Sequence, residues 1–302
     1  MAIVDLGSTA VRFLLAWITP GVGYRVLAEA RVPTRLGGGA PGTLPREAIA
    51  ETLRAVRRFF RTYASSGRGP RVVAVATSAV RDARNREQLL EPLRRTEGIT
   101  VEILSARDEA RLGVTVAIAS LPFREGGVAD LGGASLQLSR VRSRAIVSSA
   151  SLPLGAVRAT LQFLRHDPPA PREVQAFRRH VWAELLSAGP AAGRGEILVG
   201  LGGTVRALAS IHLRAHPGKR AHRHGLSLRQ SDVTAIRERL EGLSHRRRGK
   251  IRGLKSERAD IILAGAIVIE ETMVFCGYLT LVVCSRGVRD GVVLREAFPG
   301  RR

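Results

Sequence analysis

Cysteine is nearly absent from this chain, with Cys276 and Cys284 the only two. Both sit in apolar runs, which favours buried free thiols over a disulfide or a metal site. Aromatic residues make up 4% of the sequence, too few for a base-stacking surface that grips single-stranded nucleic acid. Long hydrophobic runs are missing too: the longest, Ile261–Ile269, is far short of a membrane span and ends against Glu270 and Glu271. The N-terminus enters its first strand at once, with no basic-then-apolar leader, so no signal peptide is expected and the expected compartment is the cytoplasm. Acidic residues are also in short supply, with 26 Asp and Glu facing 48 Lys and Arg for a net charge of +22.

That imbalance creates a positive field that attracts polyanions and speeds their capture. Nucleic acid, polyphosphate and an anionic membrane surface all satisfy it. Abundant Arg with Ala and Gly also fits a compositional bias of the genome, and charge reports association rather than fold. The densest basic stretches are Arg246-Arg247-Arg248 with Lys250, and Lys219-Arg220 with His222, Arg223 and His224. Hydrophobic content of 45% is ordinary for a globular protein, and 302 residues leave room for two domains.

What is present is a repeat. Ile3-Val4-Asp5-Leu6-Gly7-Ser8-Thr9 and Val128-Ala129-Asp130-Leu131-Gly132-Gly133-Ala134-Ser135 are near-copies. Each is an apolar run ending in Asp, a small-residue turn and a second apolar run, the pattern of a β-hairpin. Small residues let backbone N–H groups approach a phosphate closely, and an Asp at a strand end can hold a metal ion or a water. A third loop, Gly200-Leu201-Gly202-Gly203-Thr204, follows the strand-like run Glu196–Val199 and precedes a helical pattern. Two Asp-tipped repeats and a third glycine loop point to a phosphate cleft between duplicated domains.

The remaining pattern supports duplication. Residues 2–32 alternate as two or three strands with a turn near Pro20-Gly21. Helical spacing over Pro45–Tyr63, Asn85–Thr96 and Arg107–Ser120 alternates with strands at Val72–Ala76 and Thr100–Leu104. After a boundary near Leu121–Gly126 the meander recurs at Gly127–Asp130, Ser135–Val141 and Ala145–Ser151. Helices are expected near Leu154–Leu164, Arg172–Leu186, Val205–Ala215, Leu228–Leu240 and Glu257–Phe275, with a last strand at Leu279–Val283. The expected class is α/β, with domains at 1–122 and 123–302 and a C-terminal helix near 288–302 returning to the first.

The motifs together resemble the Ppx/GppA family of exopolyphosphatases and guanosine pentaphosphate phosphohydrolases, within the actin, Hsp70 and sugar-kinase superfamily. Asp5-Leu6-Gly7-Ser8 is similar to the family's first phosphate loop. Ala76-Thr77-Ser78-Ala79-Val80-Arg81-Asp82-Ala83 with Asn85 is similar to its Thr-Ser-Ala-x-Arg-(Asp/Glu)-Ala-x-Asn motif. Ile103-Leu104-Ser105 through Asp108-Glu109-Ala110-Arg111 resembles its Ile-Ser-Gly-x-Glu-Glu-Ala-Arg segment. Asp130-Leu131-Gly132-Gly133, Leu152-Pro153-Leu154-Gly155, Gly200-x-Gly202-Gly203-Thr204 and Ser285-Arg286-Gly287-Val288-Arg289-Asp290-Gly291 complete a match that runs nearly end to end.

The resemblance implies two duplicated RNase H-like (actin-like ATPase) domains flanking an interdomain cleft. It implies Mg²⁺-dependent hydrolysis of the terminal phosphoanhydride of polyphosphate, with Mn²⁺ as a substitute ion. Glu109 matches the catalytic Glu that orients and deprotonates water, although a first-turn Glu also suits the helix dipole. Asp130 matches the residue that holds Mg²⁺, and Asp5 is either a second metal or water ligand or a turn-forming residue. Arg81 matches a phosphate-binding Arg, whose planar fork suits bidentate contact. Gly7, Ser8, Thr9, Gly132, Gly133, Ala134, Ser135, Gly202, Gly203 and Thr204 form the phosphate loops.

Both loops depart from the family pattern: the first usually reads Gly-Ser-Asn-Ser, where this chain has Gly7-Ser8-Thr9-Ala10. The second loop usually reads Gly-Gly-Gly-Ser-Thr-Glu, where this chain has Gly132-Gly133-Ala134-Ser135-Leu136-Gln137. Ala134 adds a methyl, Leu136 removes a hydroxyl and Gln137 removes a carboxylate near the catalytic water, which together predict a slower or altered phosphatase. Alternatives are a guanosine pentaphosphate phosphohydrolase and a non-catalytic regulator that binds polyphosphate or an alarmone. Expected partners are inorganic polyphosphate or guanosine penta/tetraphosphate and a second copy as a homodimer. No membrane partner is expected, and nucleic acid is disfavoured because charge is its only support.

Overall fold

The computed structural model describes residues 1–63, 69–192, 197–216 and 222–299. The chain divides into two compact units, Met1–Leu112 with Val288–Arg302, and Gly113–Gly287.

The first unit is built on β1 (Ala2–Leu6), β2 (Val11–Thr19) and β3 (Gly23–Val32), followed by α1 (Arg46–Tyr63), β4 (Val72–Ala76), α2 (Ser78–Arg81), α3 (Glu87–Glu97), β5 (Val101–Ile103) and the first half of α4 (Ala106–Ser120). The strands form one sheet in the order β3-β2-β1-β4-β5. β1 pairs antiparallel with β2 and parallel with β4. As the central strand it is buried along its whole length, which is why it reads as a continuous apolar run with a single charge, Asp5. On α1, Ile49, Thr52, Val56 and Phe59 recur at helical spacing and are buried. The Phe13 ring of β2 meets those of Phe59 and Tyr63 at centroid distances of 5.4 and 5.5 Å. The C-terminal helix Val288–Ala297 packs on β1 and β2 through Val292 and Val293.

The second unit repeats the plan. β6 (Gly126–Leu131), β7 (Leu136–Arg142) and β8 (Ala145–Leu152) form the meander. Then come α5 (Ala156–Phe163), α6 (Pro171–Ser187), β9 (Ile197–Gly202), α7 (Gly203–Ala215), β10 (Ser227–Arg229), α8 (Gln230–Glu241), α9 (His245–Arg248), α10 (Ile262–Cys276) and β11 (Thr280–Val283). The sheet order is β10-β11-β9-β6-β7-β8. β6 is antiparallel to β7 and parallel to β9, as β1 is to β2 and β4. The expected α/β class is thus present as two mixed sheets of matching topology.

α10 is the core helix of this unit. Its residues are apolar on every side, and nearly all are buried, Glu270 and Glu271 among them. Arg178 of α6 and Arg237 of α8 reach Glu270 at 2.7 and 2.8 Å, and the Trp182 indole donates to Glu271. Burying a carboxylate is tolerable only with such partners.

Several local expectations give way to tertiary pairing. The helix expected over Leu228–Leu240 begins at Gln230, because Ser227–Arg229 adds a strand beside β11. The helix expected from Glu257 begins at Ile262, since Arg258, Ala259 and Ile261 each donate to a carbonyl three residues back, a tighter turn than an α-helix. α2 and α9, each a single turn, have no sequence periodicity to announce them. Glu196, Lys219 and Arg220 lie outside the described residues.

Candidate active site

In the first unit, Asp5 stands one residue from the end of β1, and the hairpin register places it directly opposite Arg12. Arg12 Nη1 donates to Asp5 Oδ2 at 2.9 Å, with the carboxylate side chain 3% exposed. The first loop then closes tightly: Gly7 N–H donates to the Ala10 carbonyl at 3.2 Å. Ser8 is buried and its carbonyl accepts the Gly37 N–H at 2.8 Å, while the half-buried Thr9 accepts from Arg35 N–H. The small residues of this loop are thereby held by the 35–38 segment behind it.

The same unit brings Arg81 and Glu109 together. Arg81 ends α2, directly after β4 and the buried Thr77 and Ser78. Glu109 sits in the first turn of α4, whose start is fixed by Ser105: its Oγ accepts the Asp108 N–H at 3.1 Å and donates to Asp108 Oδ2 at 2.6 Å. Arg81 Nη1 donates to Glu109 Oε2 at 3.0 Å and to the Leu104 carbonyl at 2.9 Å. Glu109 is 7% exposed, so this arginine fixes the orientation of a nearly buried carboxylate.

In the second unit, Asp130 occupies the corresponding place on β6 and faces Gln137 across the strand pair. Residues directly opposite on neighbouring strands project to one face. Gln137 is buried; its Nε2 donates to Ser135 Oγ at 3.2 Å, and its Oε1 has no hydrogen-bond partner among the described residues. Leu136 points the other way, opposite Leu131 and into the core. Its departure from the family's hydroxyl is therefore a packing change.

The second loop is locked from behind. Gly132 N–H donates to the Ser135 carbonyl, and the Gly132 and Gly133 carbonyls accept the N–H groups of Ala156, Val157 and Arg158 at the start of α5. A Cβ on Gly155 would overlap the Ala134 backbone, so only glycine fits there. Ala134 itself is not among the residues with positive φ, so its methyl adds no backbone strain.

The third loop abuts Asp130. Gly202 has φ +97°, and a Cβ there would overlap the Leu131 carbonyl oxygen and lie 3.3 Å from Asp130 Oδ1. Gly113 of α4 also approaches without a side chain, its virtual Cβ 3.6 Å from Asp130 Oδ2. Thr204 lies deeper than a surface loop residue: it is 1% exposed, beneath Gly265 of α10. Gly203 is covered by the guanidinium of Arg258, which a Cβ at that position would overlap.

Arg12, Arg258 and Gly155 complete these loops and were not singled out from the sequence as partners. Arg12 and Gln137 were within reach of a register argument, since each stands seven residues after its Asp. Arg258 had no local signal.

Strand-end aspartates, glycine loops closed on themselves and an arginine-held glutamate belong to the class of enzymes that handle phosphate groups. The chain is a member of the Ppx/GppA phosphatase family, whose model matches residues 18–298, and it is accordingly a phosphatase-class hydrolase. It is 28% identical to exopolyphosphatase 1 of Mycobacterium leprae across 98% of this chain and 89% of that protein. Identity to exopolyphosphatase 2 of Mycobacterium tuberculosis is 30% across 98% of both. The crystal structure of the Aquifex aeolicus Ppx/GppA family member superposes with a TM-score of 0.80 at 28% identity, covering 100% of this chain and 98% of that one. No helix among the described residues is long and apolar enough to cross a membrane.

Proposed function

We propose that this protein hydrolyses the terminal phosphoanhydride of inorganic polyphosphate and releases orthophosphate. The observation that carries the reading is the Arg81–Glu109 pair, a nearly buried carboxylate held at a fixed orientation at the start of a helix. Glu109 would take the proton from the attacking water, the work of a positioned general base. Arg81 would hold Glu109 and, with the rest of its fork, meet phosphate oxygen. The backbone N–H groups of the loops at Gly7–Thr9 in the first unit, and at Gly132–Ser135 and Gly202–Gly203 in the second, would each be offered to phosphate, with Thr204 supporting the last from below.

Asp130 suits a divalent cation better than Asp5 does. The residue across the hairpin from Asp5 is the cation Arg12, whereas across from Asp130 it is Gln137, whose buried Oε1 is an acceptor without a donor among the described residues. A carboxylate and an amide oxygen side by side are hard oxygen donors of the kind Mg²⁺ takes. A bound Mg²⁺ would neutralise charge on the phosphate oxygens.

The test is phosphate release from polyphosphate with and without Mg²⁺, in the wild type and in Glu109→Gln. The variant should lose about 10²–10⁴-fold in rate while still binding polyphosphate, since size and hydrogen-bonding capacity are kept. An undiminished rate removes Glu109 from the mechanism, and faster release from guanosine pentaphosphate than from polyphosphate moves the substrate assignment to the nucleotide.

A further inference from the structure

The segment between α8 and α10 carries six Lys and Arg residues and no acidic one from Ser244 to Lys255. Its fold separates them into two sets. Arg248, Ile251 and Leu254 are buried, while Arg246, Arg247, Lys250, Arg252 and Lys255 are exposed. The backbone between them is fixed by consecutive turns, with Gly249, Lys250, Ile251 and Leu254 N–H groups each donating three or four residues back. Arg248 is the anchor: it is 3% exposed and its Nε donates to the Leu240 carbonyl at 2.8 Å. Asp167 packs against this turn, where it accepts the His245 N–H and lies on the Arg248 side.

None of the five exposed cations makes an ion pair among the described residues. Arg57, Arg237 and Arg295, on helices elsewhere, are matched to carboxylates, and exposed arginines without such a match, such as Arg58 and Arg239, do not stand five together. Five unmatched charges on a rigid turn repel one another, and an anion laid along them would relieve that repulsion. The strip also has a direction. Gly253 sits at φ +94°, where a Cβ would overlap the Ser210 carbonyl oxygen in the middle of α7, and Arg258 lies on Gly203 at the start of α7. The segment therefore runs along α7 toward the third glycine loop.

We propose that Arg246, Arg247, Lys250, Arg252 and Lys255 form a docking strip for the distal part of a long polyphosphate chain, separate from the residues that act on its end. The proposal rests on the polyphosphatase reading given above. A linear phosphate chain needs only positive charge spaced along a line. Single-stranded nucleic acid would gain from large aromatic rings to stack on, and residues 241–262 contain no Phe, Trp or Tyr. The only helix in the strip, α9, spans four residues, too short to enter a major groove.

The experiment uses the full chain and a variant combining Arg246→Gln, Arg247→Gln, Lys250→Gln and Arg252→Gln. Binding of polyphosphate of about a hundred phosphates, and release of phosphate from that chain and from tripolyphosphate, are measured across a salt series. The long chain should bind about tenfold or more weakly, with a shallower dependence on salt, because fewer counterions leave the polyanion when fewer cations meet it. Hydrolysis of tripolyphosphate should stay within about twofold of wild type, being too short to reach the strip. Unchanged long-chain binding overturns the proposal. So does an equal loss on tripolyphosphate, or a loss confined to DNA or RNA. If the wild type releases phosphate from no chain yet long-chain binding depends on the strip, the strip stands and the hydrolytic reading falls. Should the fourfold variant unfold, Lys250→Glu at an exposed turn position gives the same readout alone.

Discussion

The hairpins β1–β2 and β6–β7 are the same device with one part exchanged. Each ends its first strand with an aspartate, turns on small residues and places the seventh residue after the aspartate directly across from it. In the first hairpin that residue is Arg12, which consumes the charge of Asp5 at 2.9 Å. In the second it is Gln137, an uncharged amide whose oxygen has no donor among the described residues. One copy of the repeat sets a cation across from its strand-end aspartate, and the other sets an amide there. Duplication supplied two similar strand ends, and a single cross-strand residue separated their chemistry.

The largest effect that sharpens this comparison is expected from Asp130→Asn. Phosphate release should fall by at least about 10²-fold and lose its dependence on Mg²⁺, several kcal/mol of charge stabilisation being at stake. Asp5→Asn should not reproduce that loss. If the two variants fall equally in rate, the contrast between the hairpins is wrong.

Next come the loops behind the aspartates. Gly155→Ala sets a methyl against the Ala134 backbone and should cost about 3 kcal/mol or more of stability. Gly37, which buttresses the first loop, would as Gly37→Ala meet Ser8 less closely, its Cβ at 3.0 Å and its carbonyl oxygen at 3.4 Å, and the change should cost about 1 kcal/mol. Denaturant unfolding of both variants reads the difference. Equal losses would mean that the two loops are supported alike.

Asp5→Asn is expected to act on stability, by about 1–2 kcal/mol, because Arg12 loses a charged partner but is exposed enough to recruit water. Arg12→Gln, which copies the second hairpin into the first, measures the same pair from the other side. The smallest effect belongs to Gln137→Glu. Two carboxylates facing each other across the strands, at the half-buried 130 and the buried 137, repel without a cation, so the melting temperature should become dependent on Mg²⁺, and the Mg²⁺-dependent rate should rise about two- to tenfold. A rate and a melting temperature both indifferent to Mg²⁺ would show that position 137 has no share in the cation's surroundings.

Much of this was legible in the sequence. The two Asp-tipped hairpins, α1 and the alternating strands of the first unit carry their own periodicity, and the family motifs locate Arg81, Glu109 and Asp130 along the chain. Which residue each of these would touch was another matter. Arg81 reads as a free phosphate ligand until the fold turns its Nη1 onto Glu109 and Leu104. Leu136 reads as a lost hydroxyl until register turns it into the core. Ser227–Arg229 reads as the start of a helix because nothing local reveals the neighbour, β11, that recruits it. Local pattern specifies an element; register and burial, which depend on distant segments, specify its partners.

The clasp on α10 has a consequence for how the second unit finds its native state. A helix that is apolar on every side has no preferred face to turn inward, so hydrophobic burial alone is nearly indifferent to its rotation about its own axis. Glu270 breaks that degeneracy. It can be desolvated in only one azimuth, the one where Arg178 and Arg237 converge on it, and any other rotation strands a carboxylate in hydrocarbon. The charges thus act as a keyway, costly in themselves, that leaves the greasiest element of the molecule a single way to seat.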